Sequence, residues 1–213
     1  MNPQQLHIHE TFSSLQGEGP HCGRPAFFIR LSGCVPPLCP WCDTKGAWQG
    51  GVRTRVSGLM EAVQGGGHSF VVITGGEPML QWSQGLAALD QALYQAGIMV
   101  QYETSGKAGI PSGIRGEVVC SPKYLAGRWQ LDDGALARAD HCKLVACPES
   151  LPRIDELIRS QGLEPDRVWL MPQGAERAQQ LQLLPILWEH CVRKGYRLSS
   201  RLHILAFDTK KGI

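Results

Sequence analysis

The chain has 213 residues and a formal net charge of +2, which fits one domain and gives no reason to expect nucleic-acid binding. No apolar run approaches the ~20 residues of a membrane span, and the opening Met1-Asn2-Pro3-Gln4-Gln5 is polar and short, unlike a secretory leader. A chain this long buries roughly 70% of its unfolded surface and folds without disulfides, so the eight cysteines read as reduced thiols of a cytoplasmic protein and Lys210-Lys211 as a solvated tail.

Leu6 to Phe12 predicts a first strand, with His7 and His9 alternating with Ile8 as one solvated face. Ser13-Ser14-Leu15-Gln16-Gly17-Glu18-Gly19-Pro20 follows as a glycine-rich loop in which Gln16 and Glu18 are candidates to face a ligand. Pro25 to Leu31 is a second strand that carries Arg30 near its end. A charge there calls for a carboxylate partner, from the protein or from a ligand. Val56 to Val63 reads as a helix stopped by Gly65-Gly66-Gly67. The β-branched run Ser69 to Thr74 reads as a strand buried on both faces, ending in Gly75-Gly76-Glu77-Pro78.

Gly85 to Ala96 predicts a helix with Leu86, Leu89 and Leu93 on one stripe. Strands are expected at Ile98–Tyr102, Glu117–Cys120, His141–Val145, Arg167–Leu170 and Tyr196–Phe207. Helices are expected at Leu131–Ala139, Ser150–Gln161 and Ala175–Lys194, the last stopped by Gly195. This β/α alternation implies a mostly parallel sheet with right-handed crossovers. The seven or eight strand signals, with several helices short or missing, suit a partial, open (β/α) barrel rather than the ~250 residues of a closed one.

The loop Ser32 to Thr44 holds Cys34, Cys39 and Cys42 within nine residues. Pro36 and Pro37 exclude a helix through it. Three clustered thiolates suit a metal or an iron–sulfur cluster. A disulfide pair with a free thiol, structural zinc completed by Cys142 or Cys147, and inert buried thiols stay open on spacing alone. Polar or glycine-rich tetrads also follow the other strands: Thr74-Gly75-Gly76-Glu77-Pro78, Glu103-Thr104-Ser105-Gly106, Ser121-Pro122-Lys123 and Met171-Pro172-Gln173-Gly174. The C-terminal ends of parallel strands form one face, where active sites assemble.

Those motifs, with Ser14 to Gly19, Phe28 to Leu31, Trp41 to Lys45, Trp48 and Arg197-Leu198-Ser199, resemble the radical S-adenosylmethionine superfamily. Within it they resemble the 7-carboxy-7-deazaguanine synthases of queuosine biosynthesis, across nearly the whole chain. The resemblance implies a single radical S-adenosylmethionine domain over residues 1–213. It implies that Cys34, Cys39 and Cys42 hold a [4Fe-4S] cluster whose open iron takes S-adenosylmethionine. Trp41, Cys42, Asp43, Gly75, Gly76, Ser121, Pro122, Lys123, Met171, Pro172, Gln173 and Gly174 would line that cofactor, the two glycines by letting the backbone approach it. Leu15, Gln16, Gly17, Glu18, Arg30, Thr74 and His203 would meet 6-carboxy-5,6,7,8-tetrahydropterin, with Arg30 on its carboxylate. Thr44 would offer its hydroxyl to Mg²⁺.

No side chain is a catalytic acid or base in this scheme, because the radical is generated on the cofactor; ring contraction with loss of ammonia gives 7-carboxy-7-deazaguanine. A flavodoxin- or ferredoxin-type electron donor and a homodimer are the implied partners. Two features depart from the pattern: four residues, Val35 to Leu38, separate the first two cysteines where three are usual, and the tail Ile204 to Ile213 does not match. The rival readings are an activase of a glycyl-radical protein and a zinc-stabilised binding module. The small polar set Gln16, Glu18 and Arg30 favours a small substrate.

Overall fold

The computed structural model describes residues 4–210. The end of the non-matching tail, Lys211 to Ile213, and any contact made by the chain terminus lie outside the described residues. By internal contacts the chain divides into two compact units. One comprises the residues up to Ser14 together with Pro25–Ala139; the other comprises Leu15–Arg24 and the residues from Asp140 onward.

The first unit contains β1 (Gln5–Leu15, crossing into the second unit at its last residue), β2 (Pro25–Leu31), β3 (Val52–Arg55), α1 (Val56–Gly65), β4 (Phe70–Gly75), α2 (Ala87–Gln95), β5 (Met99–Thr104), β6 (Glu117–Cys120), β7 (Lys123–Leu125), β8 (Arg128–Gln130) and α3 (Ala135–Arg138). Its main strands run in the order β6-β5-β4-β2-β1-β3. The pairs β2/β4, β4/β5 and β5/β6 are parallel, whereas β3 is an antiparallel edge on β1. β4 is buried from Phe70 to Ile73, as a strand covered on both faces must be. In β1 Leu6 and Ile8 are buried and His7 and His9 point outward, the period of two that the sequence shows. Leu86, just before α2, and Leu89 and Leu93 within it are fully buried, so the predicted leucine stripe faces the core.

The second unit contains β9 (His141–Ala146), α4 (Leu151–Ser160), β10 (Val168–Pro172), α5 (Arg177–Lys194), β11 (Arg197–Leu198) and α6 (Leu202–Phe207). β9, β10 and β11 pair in parallel. Gly195 ends α5 with φ +73°, the left-handed cap that glycine adopts without strain. The class is therefore α/β with a mostly parallel sheet, and neither unit closes its strands into a barrel.

Two expectations need correction. The last segment is not one strand: β11 spans two residues, and Leu202–Phe207 is helical, so His203 lies on a helix. Its apolar residues Leu202, Ile204 and Leu205 alternate too irregularly for a strand and bury only Ile204. The helix expected over Leu131–Ala139 shrinks to Ala135–Arg138, because Gly134 at φ +77° cannot continue a right-handed turn. The stretch before it forms the hairpin β7/β8, joined through Ala126 and Gly127, both at positive φ. β3 also lies outside the expected strands; its sequence Val52-Arg53-Thr54-Arg55 is polar because it is the sheet edge, paired on one side only, with β1.

Candidate active site

In the first unit, β2, β4, β5 and β6 are parallel, so the segments that follow them leave from one edge. The registers Leu31↔Gly75 and Thr104↔Cys120 bring the strand ends level. The cysteine loop, the Gly75-Gly76-Glu77-Pro78 turn, the Ser105 turn and Ser121-Pro122-Lys123 all start there.

The roots of the cysteine loop are pinned by backbone. Ser32 N–H donates to His7 O, Gly33 N–H to Ala47 O, and Glu77 N–H to Gly33 O at 2.7 Å. Buried Gln81 adds a side-chain brace, donating to Ser32 O at 2.8 Å and to His7 O at 3.1 Å and accepting from His7 N–H at 2.7 Å. Within the loop, Cys42 N–H donates to Cys39 O. Cys34, Cys39 and Cys42 are all half-buried free thiols. Burial pushes the Cys34 thiol up, against the lowering effect of a backbone hydrogen bond and of Lys107. Trp41 and Asp43 are exposed.

Glu77 is fully buried and organises this edge. Its carboxylate accepts from Thr104 Oγ1 at 2.5 Å, from Ser105 N–H at 2.9 Å and from the Ser105 hydroxyl. The residues after β5 therefore hold the turn after β4. Lys107, two residues beyond Ser105, donates to Val35 O at 3.3 Å and Pro37 O at 2.6 Å. Neither Glu77 nor Lys107 is among the site residues inferred from sequence. The Glu77 signal was present, as a carboxylate between glycines and proline at a strand end. Lys107 carries no local signal.

Gly75 and Gly76 also require glycine for a reason within the protein itself. A Cβ on Gly75 would collide with Leu31 O, and one on Gly76 with Gly33 O. The neighbouring backbone already forbids a side chain there.

Arg30 and Thr74 are direct partners across β2 and β4, so both side chains leave one face side by side. Arg30 Nε donates to Glu10 at 2.8 Å, the protein carboxylate that its charge called for. Thr44 Oγ1 donates to Asp43 Oδ1 at 3.0 Å. Lys123 Nζ donates to Ser121 Oγ at 2.7 Å.

The second unit gathers the remaining residues. Glu18 accepts from Lys143 Nζ at 2.8 Å through one oxygen and from Arg201 Nε at 3.0 Å through the other. Burial pushes its carboxyl up, but Lys143 and Arg201 outweigh that and hold it well below the usual carboxylate range. Arg201 also donates to Gly174 O at 2.9 Å, and Gln180 Nε2 donates to the carbonyls of Pro172 and Gly174. Gly19 N–H donates to Ser199 Oγ, and Leu202 N–H to Gly17 O. The His203 ring lies against Gly17, where a Cβ would collide with Nδ1. Leu15 is exposed. Gln16 is buried; its Oε1 accepts from Glu18 N–H at 3.2 Å, while its Nε2 has no hydrogen-bond partner.

No protein-family model matches the chain. It is 34% identical to the 7-carboxy-7-deazaguanine synthase of Pyrobaculum aerophilum, covering 98% of this chain and 97% of that one. It is 31% identical to the enzyme of the same name from Escherichia coli K12, covering 93% and 97%. The crystal structure of QueE from Escherichia coli superposes with a TM-score of 0.79 at 31% identity, over 93% of this chain and 95% of that one.

The chain belongs to the 7-carboxy-7-deazaguanine synthase family. It is thus a radical S-adenosylmethionine lyase of queuosine biosynthesis, with a [4Fe-4S] cluster, S-adenosylmethionine and Mg²⁺ as cofactors. The donor set fits the cluster of such a synthase: three thiols share one loop at the strand-end edge. Among the described residues no three His, Cys, Asp or Glu side chains converge on a single ion. A cubane asks for less, since each thiolate binds a different iron. The buried Gln16 Nε2 lacks a hydrogen-bond partner, and a buried donor left so costs about 1–3 kcal/mol.

Proposed function

We propose that this chain, acting as one domain over residues 1–213, converts 6-carboxy-5,6,7,8-tetrahydropterin to 7-carboxy-7-deazaguanine with loss of ammonia. The observation that carries the reading is the near full-length match to synthases of that name in a chain whose three loop thiols stand at the strand-end edge. An anaerobic assay with the tetrahydropterin tests it. Formation of 7-carboxy-7-deazaguanine is expected, and a protein that cleaves S-adenosylmethionine but leaves the pterin intact would sink it. Among the described residues no helix is long and apolar enough to cross a membrane. We place the enzyme in the cytoplasm, reduced by a flavodoxin- or ferredoxin-type donor and working as a homodimer.

When bound, the cluster and S-adenosylmethionine supply the radical chemistry, and the protein supplies position and electrostatics. Cys34, Cys39 and Cys42 would hold the cluster. Trp41, Cys42, Asp43, Gly75, Gly76, Ser121, Pro122, Lys123 and Met171 to Gly174 would line the cofactor. Leu15, Gly17, Thr74 and His203 would shape the pterin site. The Gln16 amide would donate to an acceptor on the pterin ring. Glu18, with both oxygens already on Lys143 and Arg201, would fix the loop that carries Gln16 as well as face the ligand.

Arg30 would take the substrate carboxylate through the end of its guanidinium, with Nε held by Glu10. Arg30→Ala is expected to weaken tetrahydropterin binding by about tenfold to a hundredfold, the value of a charge-assisted hydrogen bond. S-adenosylmethionine binding should change far less. Calorimetric titration of each ligand decides it; equal losses for both would make Arg30 a general structural residue.

Thr44 would offer Oγ1 to Mg²⁺, a hard cation that accepts one protein oxygen and keeps water on its other positions. The same hydroxyl donates to Asp43 Oδ1, so its oxygen lone pairs stay available. Thr44→Val keeps the shape and deletes the ligand. The variant should bind cluster and S-adenosylmethionine and still cleave the cofactor, yet make less product and lose its response to added magnesium. A variant stimulated by magnesium as the parent is would remove Thr44 from the metal site.

A further inference from the structure

Between its pinned roots, the cysteine loop has little to hold it. Pro36, Pro37 and Leu38 are exposed, and so are Pro40 and Trp41. The three prolines contribute no N–H, so the loop cannot build its own ladder. Four residues, Val35 to Leu38, must still be held in one course if Cys34 and Cys39 are to keep a fixed separation.

The side chain that reaches into this stretch is Lys107. Its ammonium donates to Val35 O and Pro37 O, two carbonyls on either side of Pro36. The lysine is itself anchored. Its N–H donates to Ser105 Oγ, and Ser105 and Thr104 hold buried Glu77, whose own N–H donates to Gly33 O at the loop root. The lysine, the carboxylate and the loop thus form a closed circuit within one unit. A hydrogen bond from a charged donor is about twice as strong as a neutral one, and an ammonium can serve two carbonyls at once.

We propose that Lys107 is a positioning residue that holds the Val35 to Leu38 span, and with it the spacing of Cys34 and Cys39, in the shape that receives the cluster. This rests on the cluster reading of the three cysteines. It adds that the longer spacing between the first two is stabilised from the end of β5.

The test begins on the cluster-free protein, so that it does not depend on activity. Hydrogen exchange is compared in the parent, Lys107→Met and Lys107→Arg. In Lys107→Met the hydrogen-bonded loop amides, Val35 N–H on the Cys34 sulfur and Cys42 N–H on Cys39 O, are expected to exchange about tenfold faster or more, with the strands β2, β4 and β5 unchanged. Lys107→Arg, which keeps a charged donor, should restore most of that protection. Reconstitution is then read as iron retained against a chelator over time, with faster loss from Lys107→Met than from the other two. Unchanged loop exchange in Lys107→Met overturns the proposal, and so does Lys107→Arg behaving like Lys107→Met. A parent that shows the loop protection but takes up no iron overturns the cluster reading alone.

Discussion

Cys39→Ala is expected to abolish the cluster, and with it every turnover. Cys39 follows Leu38 and precedes Pro40-Trp41-Cys42, so the loop offers no other thiol that could take its place without moving Cys34 or Cys42. After anaerobic reconstitution the variant should be nearly colourless, with iron at background and no reductive cleavage of S-adenosylmethionine. Cys34→Ala and Cys42→Ala should match it. Cys142→Ala is the control. Cys142 is buried in β9, outside the cysteine loop. It should keep its iron and colour. If Cys142→Ala lost iron while Cys39→Ala kept it, a ligand would belong to β9 and the loop spacing would have misled the assignment. Cys120 and Cys191 are buried in the same way, and burial pushes the Cys191 thiol up to about 11, which makes it a poor thiolate donor.

Which parts of this were legible in sequence follows from what each residue's role depends on. β4 was legible because four consecutive β-branched or aromatic residues have one stable use, a strand buried on both faces. The α2 stripe was legible because Leu86, just before the helix, and Leu89 and Leu93 within it fall at helical spacing. The cysteine loop was legible because its three cysteines lie close together in the chain. α6 was not: its residues have no clean period, and their conformation is set by contacts such as Leu202 N–H on Gly17 O, far away in sequence. The same holds for the partners of Glu18. Lys143 lies in an apolar strand 125 residues on and Arg201 lies 183 residues on, so nothing local couples them to the Gln16-Gly17-Glu18 loop. The glycine pair was legible as a position, but its packing constraint was not, because the groups a Cβ would meet, Leu31 O and Gly33 O, lie more than forty residues away in sequence.

Glu18→Ala is expected to be among the most destabilising single substitutions in the second unit. Lys143 Nζ is almost wholly buried, and its partner is the Glu18 carboxylate. Deleting the carboxylate takes away the counter-charge that faces a buried ammonium and the Arg201 guanidinium. Breaking a buried pair from one side costs about 3–5 kcal/mol, on the order of 10 °C in melting temperature for a chain of this size. Glu18→Gln should lose part of this, since an amide oxygen still accepts a hydrogen bond but carries no charge. Glu18→Leu combined with Lys143→Met should recover part of the loss, because the buried ammonium is removed together with the carboxylate while Arg201 still loses its counter-charge. The pH dependence has a definite sign. The folded-state carboxyl is held well below its ordinary value, so its stabilisation is complete above the unfolded-state value of about 4.3 and is lost progressively as pH falls below it. The stability gap between the parent and Glu18→Gln should therefore be constant from pH 7 to about 5 and narrow below that. Chemical denaturation at several pH values reads it directly. A gap that stays the same down to pH 3, or a Glu18→Ala variant as stable as the parent, would show that the Glu18 pair does not hold this loop and leave ligand contact as its role.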